Sequence, residues 1–282
     1  MSLQRKLISF IGLGAGNTAS FLYSYISFHP EVCVIKQQTN FFNDINVYKR
    51  GIAWYESNFS DCAENKKYGE LASTYLESAQ APALIARAYS TAKLLAVIDN
   101  PIVKVKVAYV EAIQAKKLSL DIPLSMFVKQ NPEVLTRYRF GRQLTQYFTY
   151  YSHNDLLVII GSEVDEDPLK VISVVYEHLE IDKTYVPLLL RHLVPIEEED
   201  PKHRSGIIKK TYRFIRSSPK KVYNFILKKL KPIKILPDTS LMIANKIQLS
   251  PELEAYLKDY YQSDVKVLSS LLHRDLNEEW GI

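Results

Sequence analysis

Residues 8–20 read ISFIGLGAGNTAS: an apolar run, glycines at the alternate positions Gly12, Gly14 and Gly16, then Asn17-Thr18 at the start of a helical pattern. A β-forming run that ends in glycines and passes into a helix has the outline of a phosphate-binding loop, because the unpaired amides and dipole of the helix start favour an anion. Such a loop ordinarily carries a lysine, and here Ala15 stands in its place. A second pattern shares the same residues. Gly14-Ala15-Gly16-Asn17-Thr18-Ala19 fits G-x-G-x-x-A, but a dinucleotide fold wants an acidic residue at the end of its second strand, where Lys36-Gln37-Gln38 stands.

Outward from this stretch, β and α patterns alternate. Thr18–Phe28 carries Phe21, Leu22, Tyr25 and Ile26 at helical spacing and stops at Pro30; Glu31–Ile35 reads as a second strand. Asn40-Phe41-Phe42-Asn43 leads into a polar connection through Gly51, with Trp54 and Tyr55 packing beyond it. Tyr68–Leu71 and Leu94–Asp99 are further strands on either side of a helix around Pro82–Thr91. Pro101 opens a helix running to Ala115, and Leu144, Tyr147, Phe148 and Tyr151 mark another between Leu135 and Tyr151. Leu156–Ile160 is the last clear strand; Asp167-Pro168 then caps a helix with Val171, Ile172, Val175 and Leu179 on its apolar side. Ser250-Pro251-Glu252 starts the closing helix, whose expected buried side is Leu253, Leu257, Tyr260, Val267, Leu268 and Leu271. The alternation predicts an α/β fold, a parallel sheet flanked by helices on both faces.

The 282 residues suffice for one large domain. It divides by pattern into an α/β core (1–195), a basic helical segment (196–245) and a C-terminal helical closure (246–282). The formal charge of +5 is unevenly placed. Between Arg204 and Lys234 there are 11 Lys/Arg and no Asp/Glu, so the remaining 25 basic against 31 acidic residues leave an acidic body at about −6. In the basic segment Ile208, Tyr212 and Ile215 form one apolar stripe and Val222, Ile226 and Leu230 a second. A solvated surface is one reading of such a run; a docking face for a polyanion, an anionic membrane surface or a protein is the other, and nucleic acid ranks below them without a reader fold. Cys33 lies in the apolar run Val32–Ile35, so a free buried thiol is expected there and not a disulfide framework. The N-terminal apolar run is too short for a signal core or a membrane span, and a cytoplasmic location is expected.

Several of these residues fall in one order. Gly12 to Ala19 aligns with G-x-x-K-x-G-T-T, matching at Gly12 and Thr18. There follow His29-Pro30, then Gln37-Gln38-Thr39-Asn40-Phe41-Phe42 in the manner of K-E-x-x-F-F, and Gly51-Ile52-Ala53-Trp54-Tyr55. Gly69-Glu70-Leu71-Ala72-Ser73-Thr74-Tyr75 follows G-E-x-[ST]-P-x-Y, and Asp99-Asn100-Pro101 through Lys104 to Val107 follows R-D-P-x-x-R-x-x-S. Ser162-Glu163 to Asp167-Pro168 and the closing helix complete the series. In this pattern the chain resembles the sulfotransferase superfamily, particularly bacterial and heparan-type members that use the sulfate donor PAPS (3′-phosphoadenosine-5′-phosphosulfate).

The resemblance implies the sulfotransferase fold and a nucleotide site at Gly12, Gly14, Ala15, Gly16, Asn17, Thr18 and Ala19, with Lys104 and Lys106 as the nearby cations. It also shows where this chain departs. The loop lysine is Ala15, the general base is Gln38, and the arginine and serine for the nucleotide's 3′-phosphate are Asp99 and Val107. A preorganised cation at a leaving oxygen is worth about a hundredfold in rate or more, and a carboxamide accepts no proton near neutral pH. Glu70 is a candidate surrogate base or a structural carboxylate; His29 reads as a packed helix-end residue. The resemblance therefore implies a family member with a degenerate PAPS or PAP site and no metal, inactive or weakly active, that binds an acidic glycan, another anion or a protein. The alternative is an active PAPS-dependent transferase acting on a carbohydrate or lipid hydroxyl.

Overall fold

The computed structural model describes residues 7–14, 17–35, 37–188, 190 and 239–282. Strand β1 (Ile8–Leu13) is the middle of a five-stranded, all-parallel sheet. Its companions are β2 (Val32–Val34), β3 (Lys67–Ala72), β4 (Lys93–Ile98) and β5 (Leu156–Ile160), in the order β2-β3-β1-β4-β5. A central parallel strand is covered on both faces, which is why residues 8–13 are apolar but for Ser9 and do not alternate regularly with polar ones. Leu94, Ala96 and Ile98 of β4 join Ile11 and Leu13 on one face, whereas Leu95 and Val97 join Phe10 on the other. Ile8 lies on the face opposite to Phe10 despite the two-residue spacing, because the register shifts between them.

The helices form the outer layers. They are α1 (Asn17–Ser27), α2 (Ile45–Tyr48), α3 (Ile52–Ser57), α4 (Ala81–Ala88), α5 (Pro101–Gln114), α6 (Leu124–Gln130), α7 (Glu133–Arg137), α8 (Phe140–Phe148), α9 (Gly161–Glu166) and α10 (Pro168–His178). After the basic region come α11 (Thr239–Ala244), α12 (Pro251–Leu272) and α13 (Leu276–Trp280). Leu22 and Ile26 of α1 pack with Val164, Ile172 and Val175 of α9 and α10 on one face of the sheet. On the other, Tyr55, Ile85, Val105, Leu144, Leu257 and Tyr261 share one core. The α/β class and the parallel sheet between two helical layers are as the alternation predicts. The basic segment, 204–234, lies outside the described residues, as does most of 196–245.

Four local expectations are corrected. The helical pattern between Leu135 and Tyr151 is broken into α7 and α8 at Tyr138 and Arg139. The polar connection after Phe42 contains α2, capped by the Asp44 carboxylate. On α12 the packed positions are Leu257, Tyr261, Asp264, Val265 and Leu268; Val267 is exposed and Tyr260 only partly buried. Helix α12 rests on α8, and the face it presents is set by that contact. Finally, Cys33 is not a free thiol: it is joined to Cys62 by a disulfide, with the Cα atoms 5.9 Å apart. The bridge ties edge strand β2 to the turn after α3.

Candidate functional site

The carboxyl ends of the parallel strands gather the residues that the resemblance singles out, as expected of a doubly covered sheet. At the end of β1, Gly14 has φ +95, and a Cβ there would lie 2.7 Å from the Val97 carbonyl oxygen of β4. Only glycine fits so close to the neighbouring strand while turning left-handed. The Leu13 carbonyl just before it accepts a 2.7 Å hydrogen bond from the Tyr23 hydroxyl, so α1 grips the strand end. Ala15 and Gly16 lie outside the described residues; Asn17 to Ala19 form the first turn of α1, with Ala19 buried. Gly12 is inside β1.

Beside this turn, β2 passes into the Gln38–Phe42 loop, and β3 ends at Ala72, just before Ser73. Gln38 is bonded through both ends of its carboxamide. Its nitrogen donates to Asn40 Oδ1 at 2.8 Å and Thr74 Oγ1 at 2.7 Å; its oxygen accepts from the Ser73 amide at 3.2 Å and the Ser73 hydroxyl at 2.8 Å. As these groups stand, the carboxamide of Gln38 satisfies all of them at once. Asn40, Asn43, Asp44, Ile45, Thr74 and Gln80 line an adjacent open depression of about 460 Å³, in which Asp44 is the one charged residue among the described residues.

Glu70 is fully buried on β3 and accepts four hydrogen bonds. Oε1 takes the Thr39 amide and hydroxyl, both at 2.7 Å; Oε2 takes the Tyr55 hydroxyl at 2.9 Å and the Tyr75 hydroxyl at 2.7 Å. Burial still pushes its carboxyl above the usual range, against the lowering effect of these donors. With every lone pair engaged, Glu70 pins the Thr39–Phe42 loop to the sheet and presents nothing to a substrate. Tyr55 and Tyr75, known from the sequence only as motif aromatics, owe their places to this carboxylate.

Helix α5 carries the next set. Asn100 caps it, its carboxamide oxygen accepting from Ile102 at 2.9 Å. Asp99, where the resemblance implies a phosphate-binding arginine, has its carboxylate against Gly161, where a Cβ would lie 1.9 Å from Oδ1. Val107, where the resemblance implies a serine, is 3% exposed and packs with Val110 and Ala244 of α11. These two do not fit a phosphate: one is an anion and the other an apolar side chain under a helix. Lys104 and Lys106 are not brought together. Two residues along a helix turn about 200°, so Lys104 enters a cleft beside Gly14 while Lys106 is half-buried elsewhere. The cleft is lined by Gly14, Ser73, Leu76, Glu77, Lys104, Arg137, Tyr138, Phe140 and Gln143. Arg137, Tyr138 and Gln143 carried no signal in the sequence, because the break between α7 and α8 puts them there. Among the described residues no group of His, Cys, Asp or Glu is placed to hold a metal.

His29 is a packed helix-end residue, as read. It is 2% exposed between the Tyr176 and Tyr185 rings. Nδ1 accepts the Glu31 amide at 3.1 Å, which leaves Nε2 to donate to the Asp182 carbonyl at 2.9 Å.

No family model matches the chain. Among curated proteins it is similar to heparan sulfate glucosamine 3-O-sulfotransferase 5 of Mus musculus, 21% identical over 182 residues, or 61% of this chain and 52% of the relative. The chain thus spans about half the length of the curated relatives it matches. Among solved structures, a sulfotransferase from Alicyclobacillus acidocaldarius superposes with a TM-score of 0.69 at 18% identity, covering 98% of this chain and 100% of that one. Mouse sulfotransferase SULT7A1 complexed with PAP superposes at 0.51 with 10% identity, covering 93% and 85%. The fold is that of these sulfotransferases, and the curated relatives support the same superfamily.

Proposed function

We propose that this chain is a sulfotransferase-superfamily protein with a degenerate donor site, one that binds an anionic ligand and does not transfer sulfate by the mechanism its resemblance implies. The observation that carries this reading is the setting of Gln38. A glutamate in its place would forfeit both donated bonds and would need the Asn40 carboxamide and the Thr74 hydroxyl to turn their donors toward it, so the surrounding groups as they stand are matched to the amide. Losing a positioned general base typically costs about a hundred- to ten-thousandfold in rate. Asp99 and Val107 support the same conclusion for the donor nucleotide, since neither recognises a 3′-phosphate. Glu70 does not replace the base, because its four donors hold it in the fold.

The curated relatives carry heparan sulfate in their names, and the basic run from Arg204 to Lys234 supports an acidic glycan as the partner here. Among the described residues the open depression beside Gln38 carries no cation, and that run, not the depression, is proposed to meet a polyanion. The disulfide favours an oxidising compartment over the cytoplasm.

Calorimetry with PAP, alongside sulfate transfer from PAPS to heparan sulfate, tests the reading. The expected result is no transfer and no micromolar binding of PAP. Restoring the site with Ala15→Lys, Gln38→Glu, Asp99→Arg and Val107→Ser together is expected to bring PAP binding into that range. Micromolar PAP binding by the unaltered chain, abolished by Lys104→Ala with Lys106→Ala, would sink the proposal.

A further inference from the structure

Lys104 is the described cation whose surroundings are least explained by the fold. Its residue is 9% exposed, on the face of α5 that turns into the narrow cleft beside Gly14. Among the described residues no carboxylate lies within ion-pair distance of its ammonium, and its one aromatic contact is the Tyr138 ring, with Nζ 6.0 Å from the centroid. The acid that shares the cleft, Glu77, is already paired with Arg137 at 3.2 Å, and both of these side chains are exposed at the mouth. A second polar atom is also unmatched: the Gln143 carboxamide oxygen is buried without a hydrogen-bond partner, its nitrogen being given to the Arg137 carbonyl at 2.9 Å. An ammonium withdrawn from water without a counter-charge is costly, and so is an unpaired buried acceptor. A single ligand satisfies both when it brings an anionic oxygen for Lys104 and a hydroxyl for Gln143.

We propose that the cleft between Gly14, Lys104 and Gln143 is a binding site for one oxyanion group of a hydroxylated ligand, such as the carboxylate or ester sulfate of an acidic sugar. Lys104 is the floor of the site and Arg137 the second cation at its mouth. The cleft's open volume is about 20 Å³, about the room of one water, so it admits one oxygen of such a group and not a nucleotide. The ring of the sugar bearing that group stays at the mouth, with one hydroxyl turned inward to the Gln143 carboxamide oxygen. The inference does not rest on the degenerate-donor reading, because it uses neither Gln38, Asp99 nor Val107.

The test is thermal unfolding and calorimetry of the whole chain with glucuronate, acetate and inorganic sulfate, each against chloride at equal ionic strength, for the unaltered protein and for Lys104→Met and Arg137→Met. Methionine keeps the length of the lysine and removes its charge. In chloride alone, Lys104→Met is expected to unfold at a higher temperature than the unaltered chain, because an uncompensated charge is gone. Glucuronate is expected to stabilise the unaltered chain and to bind about ten- to a hundredfold more weakly to Lys104→Met. Acetate, lacking the hydroxyls for Gln143, is expected to bind more weakly than glucuronate. A stabilising effect of sulfate that equals that of glucuronate and is lost with Lys104 would make the charge alone the determinant and overturn the part of the proposal that rests on Gln143. Lys104→Met unfolding at a lower temperature, with the unaltered chain indifferent to all three anions, would overturn the site itself and leave Lys104 a packing residue. PAP binding that persists in Lys104→Met would refute the degenerate-donor reading and leave this one to be judged on glucuronate.

Discussion

At the scale of single residues, Glu70 and Gln38 divide between them what one carboxylate is implied to do. Glu70 is a carboxylate and has no access to substrate; Gln38 stands at the implied catalytic position and has no basicity. The difference is one of partners. Four donors converge on Glu70, and because it is fully buried they only partly offset the cost of removing its charge from water. Its folded value is raised above the unfolded 4.5, so its stabilising contribution is fully present below pH 4.5 and is lost as pH rises through the folded value. Urea unfolding across that range should therefore show Glu70→Gln gaining on the unaltered chain as pH rises, and a pH-independent difference would refute this. Glu70→Ala, which strands four donors, is expected to cost about 3 kcal/mol in the same measurement. The residue's identity was legible from its place in a motif. Its role was not, because Thr39, Tyr55 and Tyr75 meet it only through the crossing of β3 with the loop after β2.

At the scale of elements, the pairing of α8 with α12 shows what periodicity omits. Asp264 is 4% exposed, yet its carboxylate is satisfied by the first amides of α8, accepting from Gly141 at 2.8 Å and Arg142 at 2.9 Å. A helix start placed on a carboxylate is favourable for both the amides and the charge. The approach is so close that a Cβ on Gly141 would lie 2.2 Å from the Asp264 carbonyl oxygen. Backbone cannot yield as a side-chain tip can, so Gly141→Ala is expected to destabilise the chain by about 2–3 kcal/mol, read by chemical denaturation with near-UV dichroism to confirm a shared fold. A loss under about 0.5 kcal/mol would show that the helices slide apart freely. The existence of both helices follows from their apolar spacing. The face that α12 buries follows from Asp264, a residue that pattern reading assigns to solvent. The cleft at Lys104 is of the same kind, since α5 carries the lysine while the break after α7 supplies its neighbours.

At the scale of the whole molecule, one covalent link revises the expected chemistry of the interior. Cys33 and Cys62 are 29 residues apart in sequence and close a loop containing α2 and α3, the Gln38 segment included. Cross-links of this span are worth about 3–4 kcal/mol in the chain-entropy account. Thiol labelling under denaturing conditions is expected to find no free cysteine until a reductant is added, and reduction is expected to lower the melting temperature by roughly 6–16 °C, at 2–4 °C per kcal/mol. Labelling of both thiols without reductant, in protein prepared under oxidising conditions, would show that the link does not form.

The sequence by itself determined the α/β class and the order of strands and helices around Ile8–Leu13, because these depend on local spacing of apolar, glycine and capping residues, and it supplied the positions at which the resemblance implies a change of chemistry. Only the tertiary structure decided that Gln38 is hydrogen-bonded through both ends of its carboxamide, that Glu70 is enclosed, that Val107 is covered by α11, that Cys33 meets Cys62, and that Lys104 and Lys106 part company. Each of those outcomes depends on which distant side chains are brought within a few ångströms, and hydrogen bonding and desolvation act only at that range, whatever the separation along the chain.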